Sequence, residues 1–365
     1  MTLAIVGTRG IPNNYGGFET LAEQLVEYLS REFEITVYCS SKDMPSTQHQ
    51  FNGAKLHYLP ITSHGAMGMV YDSIALIHAI KRFDKVLFLG FGAGFVMPLV
   101  RRYRSKIVVN IGGLDWTRNK WSGFARNVIK TCEVMLVRNS GSIVSDNIGI
   151  QEYIKTRYGL SSSLIAYGGD QATKEEWDEN DEQQYGFLGK PYAFIVTRIQ
   201  PDNNIEMILD AFRQQSALPL VMVGNWNNSG YGRNLRLLYS GQRQLVLLDA
   251  IYDRKKLNTL RSNCTIYIHG HSAGGTNPSL VEAMFLQLPV FAFASGYNEH
   301  TTRHSAMYFR DSHDLLSLVE NYKRLDLDSM AEKLKEIADH EYRWNIIASK
   351  YQNVLTSNTL NPQLT

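Results

Sequence analysis

His269-Gly-His-Ser-Ala-Gly-Gly-Thr-Asn-Pro-Ser-Leu-Val-Glu-Ala-Met284, with the apolar run Leu288-Pro-Val-Phe-Ala-Phe293 behind it, is the stretch whose reading decides the fold. Cys264 to Ile268 reads as a strand that enters a glycine-rich turn. A helix then opens with Asn277 at a cap position, Pro278 in the first turn and Glu282 one turn in. This is an anion site in outline. Backbone N–H groups and the positive end of a helix face whatever lies above the strand, and Gly274 and Gly275 remove the side chains that would keep a phosphate away. Glu282 repels phosphate but suits a neutral hydroxyl donor such as a ribose. The stretch points to a nucleoside diphosphate, with amides at one end and an acid at the other; the competing reading is a plain strand-turn-helix unit whose glycines only shape the turn.

Outward from this stretch the second half alternates. Strands are predicted at Tyr192 to Val196, Leu218 to Val223, Gln244 to Leu248 and Val290 to Phe293, with helices at Ile205 to Arg213, Gly232 to Ser240 and Arg254 to Arg261. Arg198 follows the first of these strands, where a guanidinium can clamp a diphosphate bidentately or form an ordinary salt bridge. Asp326-Leu-Asp328 has the spacing of a metal-binding pair, but a helical stretch follows it and capping explains it better. Trp344, Ile347, Ala348 and Tyr351 fall at helical spacing in a final packing helix.

The first half also alternates, with strands predicted at Leu3 to Gly7, Glu34 to Cys39, Lys55 to Tyr58, Val86 to Leu89, Lys106 to Asn110 and Ser142 to Val144. A helix begins at Glu19 with Leu21, Leu25, Val26 and Leu29 on one face. This argues for α/β architecture: two doubly wound, Rossmann-like parallel sheets. The loop after the first strand lacks the dinucleotide fingerprint, since Gly7 and Gly10 are three apart and the pair Gly16-Gly17 comes only before the helix. That pair still offers amides to an anion at the carboxyl edge, and Arg9 can add a charge. A second loop, Ile111-Gly-Gly-Leu-Asp-Trp-Thr-Arg-Asn-Lys-Trp121, interleaves aromatic and basic residues beside Asp115. Either Asp115 takes a proton from an acceptor hydroxyl while tryptophans stack on a sugar or lipid interface, or it caps a helix beside two packing tryptophans.

The acidic stretch Lys174-Glu-Glu-Trp-Asp-Glu-Asn-Asp-Glu182 suits a solvated connection. It divides the 365 residues into 1–172, 173–341 and a tail 342–365. Residues 1–170 hold 18 Lys and Arg against 13 Asp and Glu, and the remainder 19 against 22, so the first half is basic. Its basic clusters, Arg101 to Lys106 and Arg118 to Lys130, are candidates for contact with an anionic membrane. Cys39, Cys132 and Cys264 are widely spaced and suggest neither disulfides nor zinc. The start of the chain lacks the basic and apolar pattern of a signal peptide, and Val86 to Val100 is too short for a spanning helix. A cytoplasmic protein, peripheral at the inner face of the membrane, is expected.

Gly7-Thr-Arg-Gly-Ile-Pro12 with Tyr15-Gly-Gly-Phe-Glu-Thr20, Gly113-Leu-Asp-Trp116 with Lys120-Trp121, and Gly270 to Met284 together resemble the bacterial rhamnosyltransferase-type branch of retaining glycosyltransferase family 4. The resemblance implies the GT-B fold, in which two Rossmann-like domains face each other across a cleft. It also implies metal-independent transfer of a sugar, L-rhamnose from dTDP-rhamnose, to a lipid-linked glycan in surface polysaccharide (O-antigen or capsule) synthesis, with no cofactor and no nucleic-acid partner.

Carried onto this sequence, Arg198 holds the diphosphate and Glu282 the ribose. The helix opening at Asn277, Pro278, Ser279 and Leu280 holds phosphate through its backbone, and Gly16 and Gly17 approach the same group from the first domain. Ile251 holds the base, and His271, Ser272, Gly274, Gly275 and Thr276 line the sugar pocket. Arg9, Tyr15, Asp115, Trp116, Arg118 and Lys120 belong to the acceptor side. Two positions depart from the broad family: glycine at 274 where a sugar-binding glutamate is usual, which fits a 6-deoxy sugar, and Asn203 where a diphosphate-binding lysine is usual. Transfer of another hexose from a UDP- or GDP-sugar, a nucleotide-sugar epimerase and a non-catalytic sensor are the alternatives; an NAD dehydrogenase ranks last.

Overall fold

A computed structural model describes residues 1–12, 16–44, 48–117, 122–214 and 217–357. The chain forms two compact units, Met1–Tyr167 with Trp344–Thr365, and Gly168–Arg343. The change of unit comes five residues before the boundary at 172 read from composition. The tail, read as a separate piece, belongs to the first unit, because its apolar face packs into that unit's core.

The first unit contains strands β1 (Thr2–Val6), β2 (Glu34–Ser40), β3 (Gln50–Phe51), β4 (Ala54–Leu59), β5 (Lys85–Leu89), β6 (Ile107–Asn110), β7 (Ser142–Ser145) and β8 (Ser163–Leu164). Its first helices are α1 (Gly17–Leu29), α2 (Gly65–Ile80), α3 (Gly123–Asn139) and α4 (Ile148–Tyr158). The sheet runs β3-β4-β2-β1-β5-β6-β7-β8, and every pairing is parallel except β3 with β4. The short strands β3 and β8 escape the sequence reading because two residues carry no period.

The second unit contains α5 (Glu179–Gln184), β9 (Ala193–Thr197), α6 (Ile205–Arg213), β10 (Leu220–Gly224), α7 (Gly230–Tyr239), β11 (Leu245–Asp249), α8 (Arg254–Ser262), β12 (Ile266–His269), α9 (Pro278–Phe285), β13 (Val290–Phe293), α10 (Gly296–Thr301), β14 (Met307–Phe309), α11 (Ser312–Glu320) and α12 (Leu327–Glu341). All pairings in its sheet, β11-β10-β9-β12-β13-β14, are parallel. Both sheets therefore reverse direction beside their first strand, between β1 and β5 and between β9 and β12. In doubly wound sheets ligands gather at the carboxyl ends of the strands at such a reversal.

Cap chemistry sets several boundaries. The Asn277 side chain accepts the Ser279 N–H at 3.0 Å at the start of α9, with Pro278 as its first residue, as the sequence predicts. Asp326 accepts the Ser329 N–H at 3.1 Å and caps α12, so the Asp326-Leu-Asp328 pair is a helix start. Residues 94–106 form a 3₁₀ helix containing Pro98 that packs between α2 and α3. The stretch Val86 to Val100 is thus a buried strand, a glycine turn and the start of this helix. Among the described residues no helix is long and apolar enough to cross a membrane.

The last helix, α13 (Trp344–Thr356), closes the first unit's core. Trp344, Ile347, Ala348, Tyr351 and Leu355 pack in one cluster with Leu21, Leu25, Val26 and Leu29 of α1. Asn110 at the end of β6 donates to the Tyr351 hydroxyl at 2.7 Å, and Lys85 Nζ donates to the Ser357 carbonyl at 3.2 Å. The three cysteines are buried and free.

Candidate functional site

In the second unit the two motif-bearing loops leave β9 and β12, the neighbours at the sheet's reversal. They are bonded to each other. Asn204 Nδ2 donates to the Gly270 carbonyl at 2.8 Å, and the Ser272 N–H and hydroxyl both donate to the Asp202 carbonyl at 2.9 Å. Asn203 lies between His271, whose Nδ1 is 2.6 Å from its Oδ1, and the Arg198 carbonyl, to which it donates at 2.6 Å. Asn298 donates to the His271 carbonyl at 2.8 Å from the other side. Gly270 makes the close approach possible, since a Cβ there would stand 2.2 Å from the Asn203 carbonyl oxygen. Arg198 is exposed at the head of this block. Asn203, which stands where the broad family has a lysine, serves as a staple between loops, and Ser272 is likewise tied down by its hydroxyl.

The backbone donors expected at the helix start are placed differently. Pro278 has no N–H. The Ser279 N–H goes to the Asn277 side chain, and the Leu280 N–H goes to the Asn277 carbonyl at 3.1 Å, with Leu280 fully buried. The cap that fixes the start of α9 thus engages both N–H groups through Asn277. Gly274 and Gly275, with φ of 25° and 85°, take left-handed backbone that glycine alone accepts without strain. No hydrogen bond within the described chain engages their N–H groups. Thr276 beside them is buried, and Ile251 lies in the loop after β11 at the same edge.

Glu282 sits one turn into α9, 22% exposed, and both its oxygens are approached from within the unit. Arg261 Nη1 donates to Oε2 at 2.5 Å and Gln171 Nε2 to Oε1 at 2.7 Å, while Arg261 Nη2 reaches Asn258 Oδ1 at 2.8 Å. A carboxylate has lone pairs enough for two such donors and a hydroxyl besides. Arg261 and Gln171 carry no sequence signal, since they lie 21 and 111 residues from Glu282. His269 at the end of β12 is buried, and its Nε2 finds no hydrogen-bond partner among the described residues. Burial, with His271 beside it, brings the imidazole down to about 3, so it stays neutral.

In the first unit the loops after β1 and β6 are held by acids. Gly16 caps α1 with φ 105°, and a Cβ there would stand 2.7 Å from Glu19 Oε2. Glu19, itself buried, accepts the Arg9 N–H at 3.0 Å. Its carboxylate offsets the positive end of α1 beside Gly16 and Gly17. The Arg9 guanidinium lies 3.1 Å from His64 Nδ1, and His64 Nε2 lies 3.8 Å from Asp43. Burial alone would raise the Asp43 carboxyl, but donors from Ser63, Thr62 and Ser40 outweigh it and bring the group down to about 2.

Asp115 opens a single 3₁₀ turn, Asp115–Thr117, and is not the cap of α3, a place taken by Ser122. Trp116 Nε1 donates to Glu133 Oε2 at 3.0 Å. Tyr15, Arg118, Lys120 and Trp121 lie outside the described residues, and so does the start of the helix expected from Arg118; α3 begins at Gly123. Asp72 on α2 was not read from sequence. Its carboxylate lies over Gly92, where a Cβ would stand 2.1 Å from Oδ2, and burial raises the group to about 8. Among the described residues no three His, Cys, Asp or Glu side chains gather as a metal site would require.

Residues 178–341 match the family described as glycosyl transferases group 1, and residues 1–170 match a domain of unknown function (DUF1972). No curated protein matches the chain. Sucrose-phosphate synthase (tll1590) from Thermosynechococcus elongatus is similar in structure, with 14% identity over 97% of this chain and 98% of that one and a TM-score of 0.80. Anabaena Alr3699/HepE, solved in complex with UDP and glucose, gives 12% identity, 98% and 99% coverage and a TM-score of 0.72. The trehalose-6-phosphate synthase OtsA gives 10%, 98% and 99%, and 0.73. At these identities the likeness establishes the fold, two parallel-sheet domains of the GT-B class. With the group 1 match it supports a glycosyltransferase that uses a sugar nucleotide.

Proposed function

We propose that the protein is a retaining, metal-independent glycosyltransferase that moves L-rhamnose from dTDP-rhamnose to a lipid-linked glycan of a bacterial surface polysaccharide. The observation that carries the transferase reading is the bonded loop pair at the reversal of the second sheet, with Arg198 at its head and the N–H groups of Gly274 and Gly275 unengaged within the described chain. A guanidinium and fixed backbone donors suit the charge that develops on a leaving diphosphate. The complex of HepE with UDP and glucose supports a nucleotide-sugar donor. Gly274, where the broad family has a glutamate, supports a sugar lacking the usual 6-hydroxyl. Glu282 holds the ribose and Ile251 borders the base. The leaving diphosphate helps take the acceptor proton, and the protein contributes position and charge stabilisation.

Asp115, Trp116 and Arg9 serve the acceptor in the first unit. A membrane-borne acceptor is supported by the layer formed by α2, residues 94–106 and α3. Met67, Val70, Ile74, Phe95, Leu99 and Phe124 are exposed there. These segments hold seven Lys and Arg against two acids, of which Glu133 is buried. Exposed apolar side chains among cations suit the inner, anionic face of a membrane.

The deciding experiment offers dTDP-rhamnose, UDP-glucose, UDP-galactose, UDP-N-acetylglucosamine and GDP-mannose to the purified protein in EDTA, with and without a lipid-linked acceptor extract, and scores free nucleoside diphosphate. Release from dTDP-rhamnose, raised by the extract, is expected. Release only when magnesium is added would overturn the metal-free mechanism, and release from a different donor would replace the sugar. Sedimentation with anionic but not with neutral vesicles is the expected sign of the membrane face.

A further inference from the structure

Glu133 of α3 is 4% exposed, and its carboxylate is met by donors from two other segments. The hydroxyls of Tyr153 and Tyr158, both on α4, donate to Oε1 at 2.6 Å each, and the Trp116 indole donates to Oε2 at 3.0 Å. Burial, reinforced by the bond to Glu133, raises both tyrosines, Tyr158 to about 12, so both remain protonated donors through the neutral range. Lys130 Nζ stands 4.7 Å above the Trp116 ring, and the Tyr153 ring lies 6.3 Å from it. An indole can only donate, so Trp116 holds this orientation only while an acceptor stands opposite its nitrogen.

Trp116 is the middle residue of the 3₁₀ turn that carries Asp115. Within its own loop the turn is shaped by the Asp115 N–H to the Gly113 carbonyl at 2.9 Å and by the Thr117 N–H and hydroxyl to the Leu114 carbonyl at 2.9 and 2.6 Å. The Trp116–Glu133 bond ties it to α3. We propose that Glu133 is a positioning residue, which holds Trp116, and with it the loop 111–117, in the conformation that receives the acceptor. The inference rests on the glycosyl-transfer reading above.

The test compares wild type, Glu133→Gln and Glu133→Ala with a synthetic polyprenyl-diphosphate-linked N-acetylglucosamine as acceptor and dTDP-rhamnose or UDP-glucose as donor. Glu133→Ala is expected to raise the acceptor KM at least tenfold, while donor KM and acceptor-independent nucleotide release stay within twofold. Glu133→Gln, which keeps the volume and one acceptor oxygen, is expected to recover part of that loss, with an acceptor KM about threefold above wild type. Amide hydrogen exchange across 112–117 is expected to quicken about tenfold in Glu133→Ala. An unchanged acceptor KM, an unchanged exchange rate, or an equal fall in acceptor-independent release would each overturn the assignment. If Glu133→Ala does not fold, Glu133→Gln must still raise the acceptor KM alone, and a KM equal to wild type overturns it. A wild type that releases nucleotide from no donor fails the glycosyl-transfer reading instead, whereas the faster exchange in the variant is read without any turnover.

Discussion

In the second unit the loops after β9 and β12 hold one another through amides and hydroxyls: Asn204 to Gly270, Ser272 to Asp202, Asn203 to both His271 and Arg198. In the first unit the described bonds of the loops after β1 and β6 run to separate acids, Glu19 under Arg9 and Glu133 under Trp116. A mutually bonded pair loses its geometry as one piece when any staple fails, whereas separately anchored loops fail one at a time. The first arrangement suits a rigid, charged ligand such as a diphosphate, and the second a ligand whose several hydroxyls are met by independent segments.

The sharpest way to break the block in the second unit is Gly270→Ala, which drives a methyl to 2.2 Å from the Asn203 carbonyl oxygen and 2.6 Å from Ile208 Cδ1. Overpacking against backbone costs roughly 1–3 kcal/mol, and here it also parts the two loops. The expected outcome is loss of measurable nucleoside diphosphate binding by calorimetry, with a lowered melting temperature. Arg198→Ala comes next. Removing a preorganised charged donor is expected to lower kcat/KM about 10²–10³-fold at saturating acceptor, against a much smaller loss for Asp115→Ala in the separately anchored loop. Equal activity of Arg198→Ala and wild type at saturating donor would remove Arg198 from the site. A third substitution, Arg261→Met, leaves Glu282 with Gln171 alone. Unfolding in urea is expected to show a loss of about 3 kcal/mol, and the donor KM is expected to rise.

The start of α9 was legible to the residue because Asn277 and Pro278 are local signals that need no partner elsewhere in the chain. The same cap engages the Ser279 and Leu280 N–H groups through Asn277, which a count of helix-start donors does not see. Arg198 and Glu282 stood out as charged residues placed after strands. The supports Arg261, Gln171 and Asn298 did not, because a staple across 21 to 111 residues leaves no periodicity behind. Glu133 and Asp72 read as ordinary polar positions on helices, since burial of an acid is decided by what packs on it. The alternation of strands and helices gave most of both sheets, while the short strands β3, β8 and β14 lay below the length at which alternation exists.

The smallest expected effects are in pH dependence, and they take opposite signs in the two units. The Asp72 carboxyl rises from 3.8 to about 8 on folding, so between those values the folded chain holds a proton that the unfolded chain has lost. Stability therefore falls as pH climbs from 4 to 8. Asp72→Asn is expected to flatten that slope in urea titrations. His269 drops from 6.5 to about 3, so its contribution is present above 6.5 and is lost as pH falls toward 3. His269→Gln is expected to flatten only the acid side. A Asp72→Asn protein with an unchanged slope would mean that the folded carboxyl is ionised near neutrality.

The return of α13 to the first sheet has a consequence for synthesis. Residues 168–343 are complete before Trp344, Ile347 and Tyr351 leave the ribosome, so the unit that begins first is finished last. Until then the Leu21, Leu25 and Leu29 face of α1 lacks the helix that covers it in the finished chain. The nascent first unit thus keeps that apolar face uncovered until its last helix is made, and a separately expressed first unit needs residues 344–357 appended to hold its core.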